Sequence, residues 1–178
     1  MRKVILYIAV SLDHYIARKN GAVDWLENAV EHIKDEDYGY KAFYDGIDTT
    51  LMGRKTFDEI LGFDVPFPYP DKSNYVFTSN NEFEHEYAQG IKENASAFLQ
   101  QLKQEAGKDI WLVGGGRLIT DFAENGLIDE MILTVFPILL GEGIPLFLPF
   151  QNGSSYTLKE NKSYTNGIVQ LHYQKKTS

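Results

Sequence analysis

Ile110-Trp111-Leu112-Val113-Gly114-Gly115-Gly116-Arg117-Leu118 decides how this chain is read. A four-residue apolar run, bounded by Lys108-Asp109 and by glycine, predicts a buried strand, then a glycine turn, then a helix. Three glycines remove three Cβ atoms from the tip of that strand. The backbone can then approach something large and flat, and its N–H groups can face an anion. One glycine suffices for a structural corner, so three point toward a phosphate or dinucleotide contact, with a tight corner as the alternative.

Outward from that stretch, short strands alternate with short helices. Val4–Val10 is a continuous β-rich apolar run, expected as a central strand buried on both faces. Residues 11–24 are expected as a polar loop turning at Asn20-Gly21. Trp25, Leu26, Ala29, Val30 and Ile33 recur at helical spacing in a segment that continues to Tyr44 and is broken at Gly39. Asp48–Met52 reads as a strand ended by Gly53, and Thr56-Phe57-Asp58-Glu59 has the capping-box pattern of a helix start. Prolines 66, 68 and 70 make residues 62–72 a loop. Tyr75–Ser79 reads as a strand, and Asn94 or Ser96 caps a helix carrying Phe98, Leu99, Leu102 and Ala106. After the glycines come a helix over 117–125, a glycine cap at Gly126, and a long strand Met131–Leu140, in which Pro137 suggests an edge strand or a bulge near the end. Tyr156–Lys159 and Ile168–Gln174, joined through Asn166-Gly167, predict a closing antiparallel pair. The expected fold class is α/β, a three-layer single domain over residues 1–178 with a mostly parallel central sheet and an antiparallel C-terminal hairpin.

Composition narrows the function classes. The 178 residues are 43% hydrophobic and 13% aromatic, enough for a sizeable core. Twenty-five acids against 17 bases give a net charge of −8, which argues against a nucleic-acid surface. The absence of cysteine excludes disulfides and thiol chemistry. No apolar run approaches the ~20 residues of a membrane span. The basic start before Val4–Val10 superficially matches a signal peptide, but Ser11-Leu12-Asp13-His14 cuts it short without a cleavage site, so a cytoplasmic protein is expected. The histidines at 14, 32, 85 and 172 show no metal-ligand spacing and are expected to be structural or exposed, so no metal is expected.

In open α/β sheets ligands gather beyond the carboxyl ends of strands. Three such ends carry anion-ready chemistry: Gly53-Arg54-Lys55-Thr56, Thr78-Ser79, and the triple glycine with Arg117. Neither a G-x-G-x-x-G after the first strand nor a P-loop is present, so the phosphate grip is split between distant turns. Leu51-Met52-Gly53-Arg54-Lys55-Thr56-Phe57 together with Val113-Gly114-Gly115-Gly116-Arg117 resembles the dihydrofolate-reductase-like fold. Ser11–Ala17, Asp24-Trp25-Leu26, Ile128-Asp129-Glu130 and Pro137–Phe147 resemble more closely the reductase domain in the C-terminal half of the bifunctional riboflavin-biosynthesis deaminase/reductase, and its stand-alone bacterial type.

The resemblance implies NADPH as cofactor. By position, Gly53, Arg54, Lys55 and Thr56 match the turn on the pyrophosphate and adenosine 2′-phosphate, and Thr78 and Ser79 the next strand end. Gly114, Gly115, Gly116, Arg117 and Leu118 match the glycine turn, whose first Gly–Gly bond is expected to be cis. Ala9 and Ile16 match the nicotinamide lining, and residues 14–24 match a mobile lid. Asp37 matches the substrate-holding carboxylate, Thr134 the threonine hydrogen-bonded to it, and Glu142 in its Gly-Glu-Gly turn is another catalytic candidate. Asp13 and Asp24 either touch substrate or cap turns. The implied function is transfer of a hydride to a small heterocyclic, ribosylaminopyrimidine or pterin-like substrate, and the alternative is an NADP-binding module without turnover. Outside the cofactor motifs the bases that could meet a substrate phosphate are few, chiefly Arg18 and Lys19. Relatives of this type are often homodimers, and Ile138–Phe150 is either a surface shared between copies or internal core.

Overall fold

The structure, a computed structural model, describes residues 1–31, 33–80 and 82–176. The elements are β1 (Val4–Ser11), β2 (Tyr15–Ala17), α1 (Trp25–Asn28), α2 (Tyr40–Gly46), β3 (Ile47–Gly53), α3 (Arg54–Leu61), β4 (Ser73–Phe77), β5 (Gln89–Ile91), α4 (Ala95–Leu102), β6 (Asp109–Gly114), α5 (Gly116–Glu124), β7 (Glu130–Phe136), β8 (Ile144–Pro145), β9 (Tyr156–Ser163) and β10 (Val169–Lys175). Eight strands form one sheet in the order β5-β4-β3-β6-β1-β7-β10-β9. The first six run parallel, and β10 is antiparallel to both β7 and β9. β2 and β8 pair separately. This is the expected α/β architecture.

Strand alternation builds the layers. Val4, Leu6, Leu51, Ile110 and Leu112 point to one face, where Leu99 and Leu102 of α4 and Ile119 and Phe122 of α5 cover them. Met52 and Trp111 point to the other, against Phe57 and Ile60 of α3 and Phe67 and Tyr69 of the proline loop. Phe43 and Tyr44 of α2 pack there too. Each such side chain taken fully out of water stabilises the fold by about 1.5–3 kcal/mol before entropy. Among the described residues no helix is long and apolar enough to cross a membrane.

Several expectations need correction. The periodic residues from Trp25 to Ile33 form one helical turn, α1, followed by irregular chain that packs on Trp25, Phe136, Tyr164 and Ile168. Their 3.6-residue spacing reflects docking on that cluster rather than a long helix. α3 starts at Arg54 with Gly53 as its N-cap and no capping side chain, so Thr56 lies inside the first turn. The loop after β1 holds the short strand β2, and β7 ends at Phe136, before Pro137. His32 lies outside the described residues.

Candidate functional site

β3 and β6 are neighbours, with Met52 opposite Gly114, and β4 lies beside β3, with Gly53 opposite Phe77. The three strand tips named from sequence therefore stand side by side. The two glycine turns touch: a Cβ placed on Gly53 would lie 3.8 Å from the Gly115 amide nitrogen, and one on Gly115 would lie 3.0 Å from Thr56 Oγ1. Glycine at both positions leaves a cradle that any side chain would fill. The Gly114–Gly115 peptide is cis, and Gly114 has φ 145°, which L side chains rarely adopt. The first-turn amides of α3 and α5 have no partners within their helices, so two positive helix ends open on one cleft.

The cations around the cleft differ in their partners. Lys55 and Arg117 are exposed, and their side chains have neither hydrogen bond nor ion pair among the described residues. Arg54 is held by Asp58, Nε to Oδ1 2.7 Å, with its guanidinium 4.9 Å from the Phe83 ring centre. Thr78 Oγ1 accepts the Asn80 amide, and Ser79 is exposed. Leu118 packs on the α4–α5 side of the core. Gly116 has a structural task as well, because a Cβ there would come within 2.5 Å of the Pro145 carbonyl oxygen in β8.

β8 links this cleft to the lid. It pairs with β2, and the Leu146 amide donates to the His14 carbonyl. Asp13 ties the same region to the 137–143 turn: its carboxylate accepts the Leu140 amide at 3.1 Å, the Gly141 amide at 2.7 Å and the Ser11 hydroxyl at 2.6 Å. Burial pulls the Asp13 carboxyl upward, but those donors hold it below its ordinary value. Asp24 forms a two-point ion pair with Arg18. Ala9 packs on the Trp25 cluster, and Ile16 packs on the α4–α5 core. Trp25 is 1% exposed, and its Nε1–H has no hydrogen-bond partner among the described residues.

The catalytic candidates do not hydrogen-bond to one another. The Asp37 carboxylate accepts the Gly39 and Lys41 amides, each at 2.9 Å. Those backbone bonds, Lys41 first, hold its carboxyl below the ordinary range. Thr134 is buried in β7, where its hydroxyl accepts from Gln170 Nε2 at 3.0 Å; the hydrogen bond to Asp37 implied by the resemblance is absent. Glu142 is 69% exposed at its side chain and pairs with Lys19 of the lid.

Sequence reasoning missed a groove on the α2 face of the sheet. Residues on one face of successive strands meet there: Ile5 and Tyr7 of β1, Glu130 and Ile132 of β7, Gln170 and His172 of β10, and Glu160 and Lys162 of β9. Tyr38, Gly39 and Phe43 close the far side of a space of about 290 Å³. Buried Glu130 accepts from Lys3 Nζ at 2.7 Å and meets His172 Nε2 at 2.8 Å. Burial pushes the Glu130 carboxyl up, yet the bonds from Lys3 and His172 prevail and its pKa is lowered. Tyr7 stacks on Phe43, and burial raises its phenol to about 12. The period-two spacing of these polar residues was the available signal, but it also describes a solvated strand face.

Comparison with known proteins identifies the family and the fold. Residues 70–170 fit the model of the RibD C-terminal domain. The uncharacterized protein YwjB of Bacillus subtilis is 45% identical over 173 residues, 97% of each chain. A structure from Shewanella sp. PV-4, described as a candidate riboflavin biosynthesis protein, superposes with a TM-score of 0.90 at 33% identity, covering 98% of this chain and 99% of that one. Dihydrofolate reductase from Enterococcus faecalis, complexed with NADP(H), shares the fold with a TM-score of 0.70 at 14% identity, covering 98% and 97%. On this evidence, the chain belongs to the RibD C-terminal domain family and has the dihydrofolate-reductase-like fold.

Proposed function

We propose that this protein is an NADPH-dependent reductase acting on a small heterocycle of the ribosylaminopyrimidine or pterin kind. The observation that carries this reading is the contact between the Gly53–Thr56 and Gly114–Leu118 turns, two anion-ready helix starts that share one cleft. A coenzyme bearing two linked phosphates suits two such starts, because each supplies unpaired amides and partial positive charge. Lys55 and Arg117 add full charges, and Arg54, Thr78 and Ser79 would receive the 2′-phosphate. Ala9, Ile16 and the lid would line the nicotinamide. Bound there, NADPH supplies the hydride.

The chain's own task is to position, to exclude water and to hand over a proton. Thr134 is oriented for positioning by Gln170, and buried Trp25 offers an N–H that no described residue accepts. Asp37 and Glu142 are the acids proposed for proton transfer. Both are engaged, one on backbone amides and the other on Lys19, and this favours a second reading, an NADP-binding module without turnover. The same proposal takes the protein to be cytoplasmic and homodimeric, with exposed Leu139, Leu148 and Phe150 facing the second copy.

Tryptophan fluorescence during NADPH titration, followed by absorbance at the nicotinamide band with aminopyrimidines, pterins and quinones, separates the readings. The reductase quenches and then oxidises NADPH with one of these acceptors. Quenching without oxidation by any of them supports the binding module, and absence of quenching contradicts both.

A further inference from the structure

The groove on the α2 face lies beside the top row of the sheet, where Ala9, Thr134, Gln170 and Lys162 stand in register. Tyr7, Ile132, His172 and Glu160 form the next row on the same face, roughly 7 Å further along the strands. A ligand seated against Ala9 and Thr134 would therefore extend its far end into the groove. At about 290 Å³ the space is at the small end of ligand pockets and suits one ring or a compact substituent.

Its polar atoms are mostly acceptors. The Glu160 carboxylate has neither hydrogen bond nor ion pair among the described residues. Gln170 spends its amide nitrogen on Tyr38 O and Thr134 Oγ1, so its remaining polar atom is the carbonyl oxygen. Glu130 is an acceptor that takes the Nε2–H of His172, which leaves Nδ1 with a lone pair when the ring is neutral. Cations for an anionic group are scarce. Lys162 is the one permanently cationic lining residue; its ammonium lies 4.5 Å from the Tyr164 ring centre and 3.8 Å from a Glu36 carboxylate oxygen. Lys3 beneath is bound to Glu130, and on the lid Arg18 and Lys19 are bound to Asp24 and Glu142. A phosphate brought here would meet two lining carboxylates and no unengaged lining cation.

We propose that this groove seats the far end of the substrate and selects an unphosphorylated group rich in hydrogen-bond donors, an amino or amidine-like edge read by Glu160, the His172–Glu130 pair and Gln170. This rests on the reductase reading and narrows it: a ribosylaminopyrimidine would enter without its phosphate.

The test uses the full chain saturated with NADPH, titrated with 2,4-diaminopyrimidine and separately with inorganic phosphate. The ring ¹H–¹⁵N signals of His172, assigned by their loss in His172→Gln, report occupancy. The expected result is that diaminopyrimidine shifts those signals, that Glu160→Gln on the exposed edge strand weakens its binding about tenfold, and that millimolar phosphate neither shifts the signals nor competes. Displacement by phosphate, unchanged affinity in Glu160→Gln, or no binding of diaminopyrimidine overturns the proposal. NADPH affinity is measured on the same samples. If NADPH fails to bind, the reductase reading falls; if it binds while the diaminopyrimidine pattern is missing, only the groove assignment falls.

Discussion

At the scale of single residues, the cofactor cleft depends on atoms that are missing and charges that are spare. Gly115 has an ordinary φ of −92°, so a side chain there fits the backbone but not the space, with Thr56 Oγ1 3.0 Å from its first carbon. Gly115→Val should still fold, with a thermal midpoint lowered by the crowding at Thr56, and lose NADPH binding in a fluorescence titration. Gly116→Ala should cost about 1–3 kcal/mol of stability, read as a lower thermal midpoint, because its methyl meets the Pro145 backbone. Arg54 is loosely employed, its exposed pair with Asp58 being worth little. Arg54→Ala should therefore leave stability unchanged and weaken NADPH by about 1.5–3 kcal/mol while sparing NADH. Equal losses for the two coenzymes would remove Arg54 from the 2′-phosphate.

At the scale of elements, the legible parts were those whose signal is local. Val4–Val10 and Ile110–Val113 are continuous apolar runs ended by a serine or a glycine, and Asp48–Met52 is a β-branched and apolar stretch ended by Gly53; each lies in a strand. The glycine turn announced itself because three missing side chains in a row are costly without a reason. β5 is three residues long, Gln89–Ile91, and carries no pattern a short window can resolve. Trp25–Ile33 was misread because irregular chain docked on a tryptophan can repeat apolar residues at helical spacing. The groove was illegible for another reason: Tyr7, Glu130, His172 and Glu160 come from four strands, and only the sheet order makes them neighbours. The lid was legible as a loop, but its restraint was not. Asp13 binds two amides of the 137–143 turn, so Asp13→Asn should weaken that tie. Hydrogen exchange should quicken at Leu140 and Gly141, with stability falling by about 1 kcal/mol. Unchanged protection there would mean that β2–β8 pairing alone holds the lid.

At the scale of the whole molecule, Lys3 just before β1, Glu130 of β7 and His172 of β10 meet, so one buried carboxylate helps lock the parallel part of the sheet to its antiparallel end. The folded pKa of Glu130 lies below its ordinary value of 4.5, so near that pH the unfolded chain binds more protons. The stability it contributes is complete above the ordinary value and is lost as pH falls through the lower folded one. Glu130→Gln should be less stable at neutral pH, and its stability should change less between about pH 5 and about pH 3. A parallel acid profile in the variant would show that the carboxylate carries none of this dependence.

The central claim is that two strand tips, distant in sequence, grip one diphosphate-bearing coenzyme. A crystal structure of the protein with NADPH tests it most directly. The pyrophosphate is expected between Gly53-Arg54 and Gly115-Gly116, with the 2′-phosphate toward Arg54 and Ser79. Density for the coenzyme away from this cleft, or contact with only one of the two turns, would contradict it.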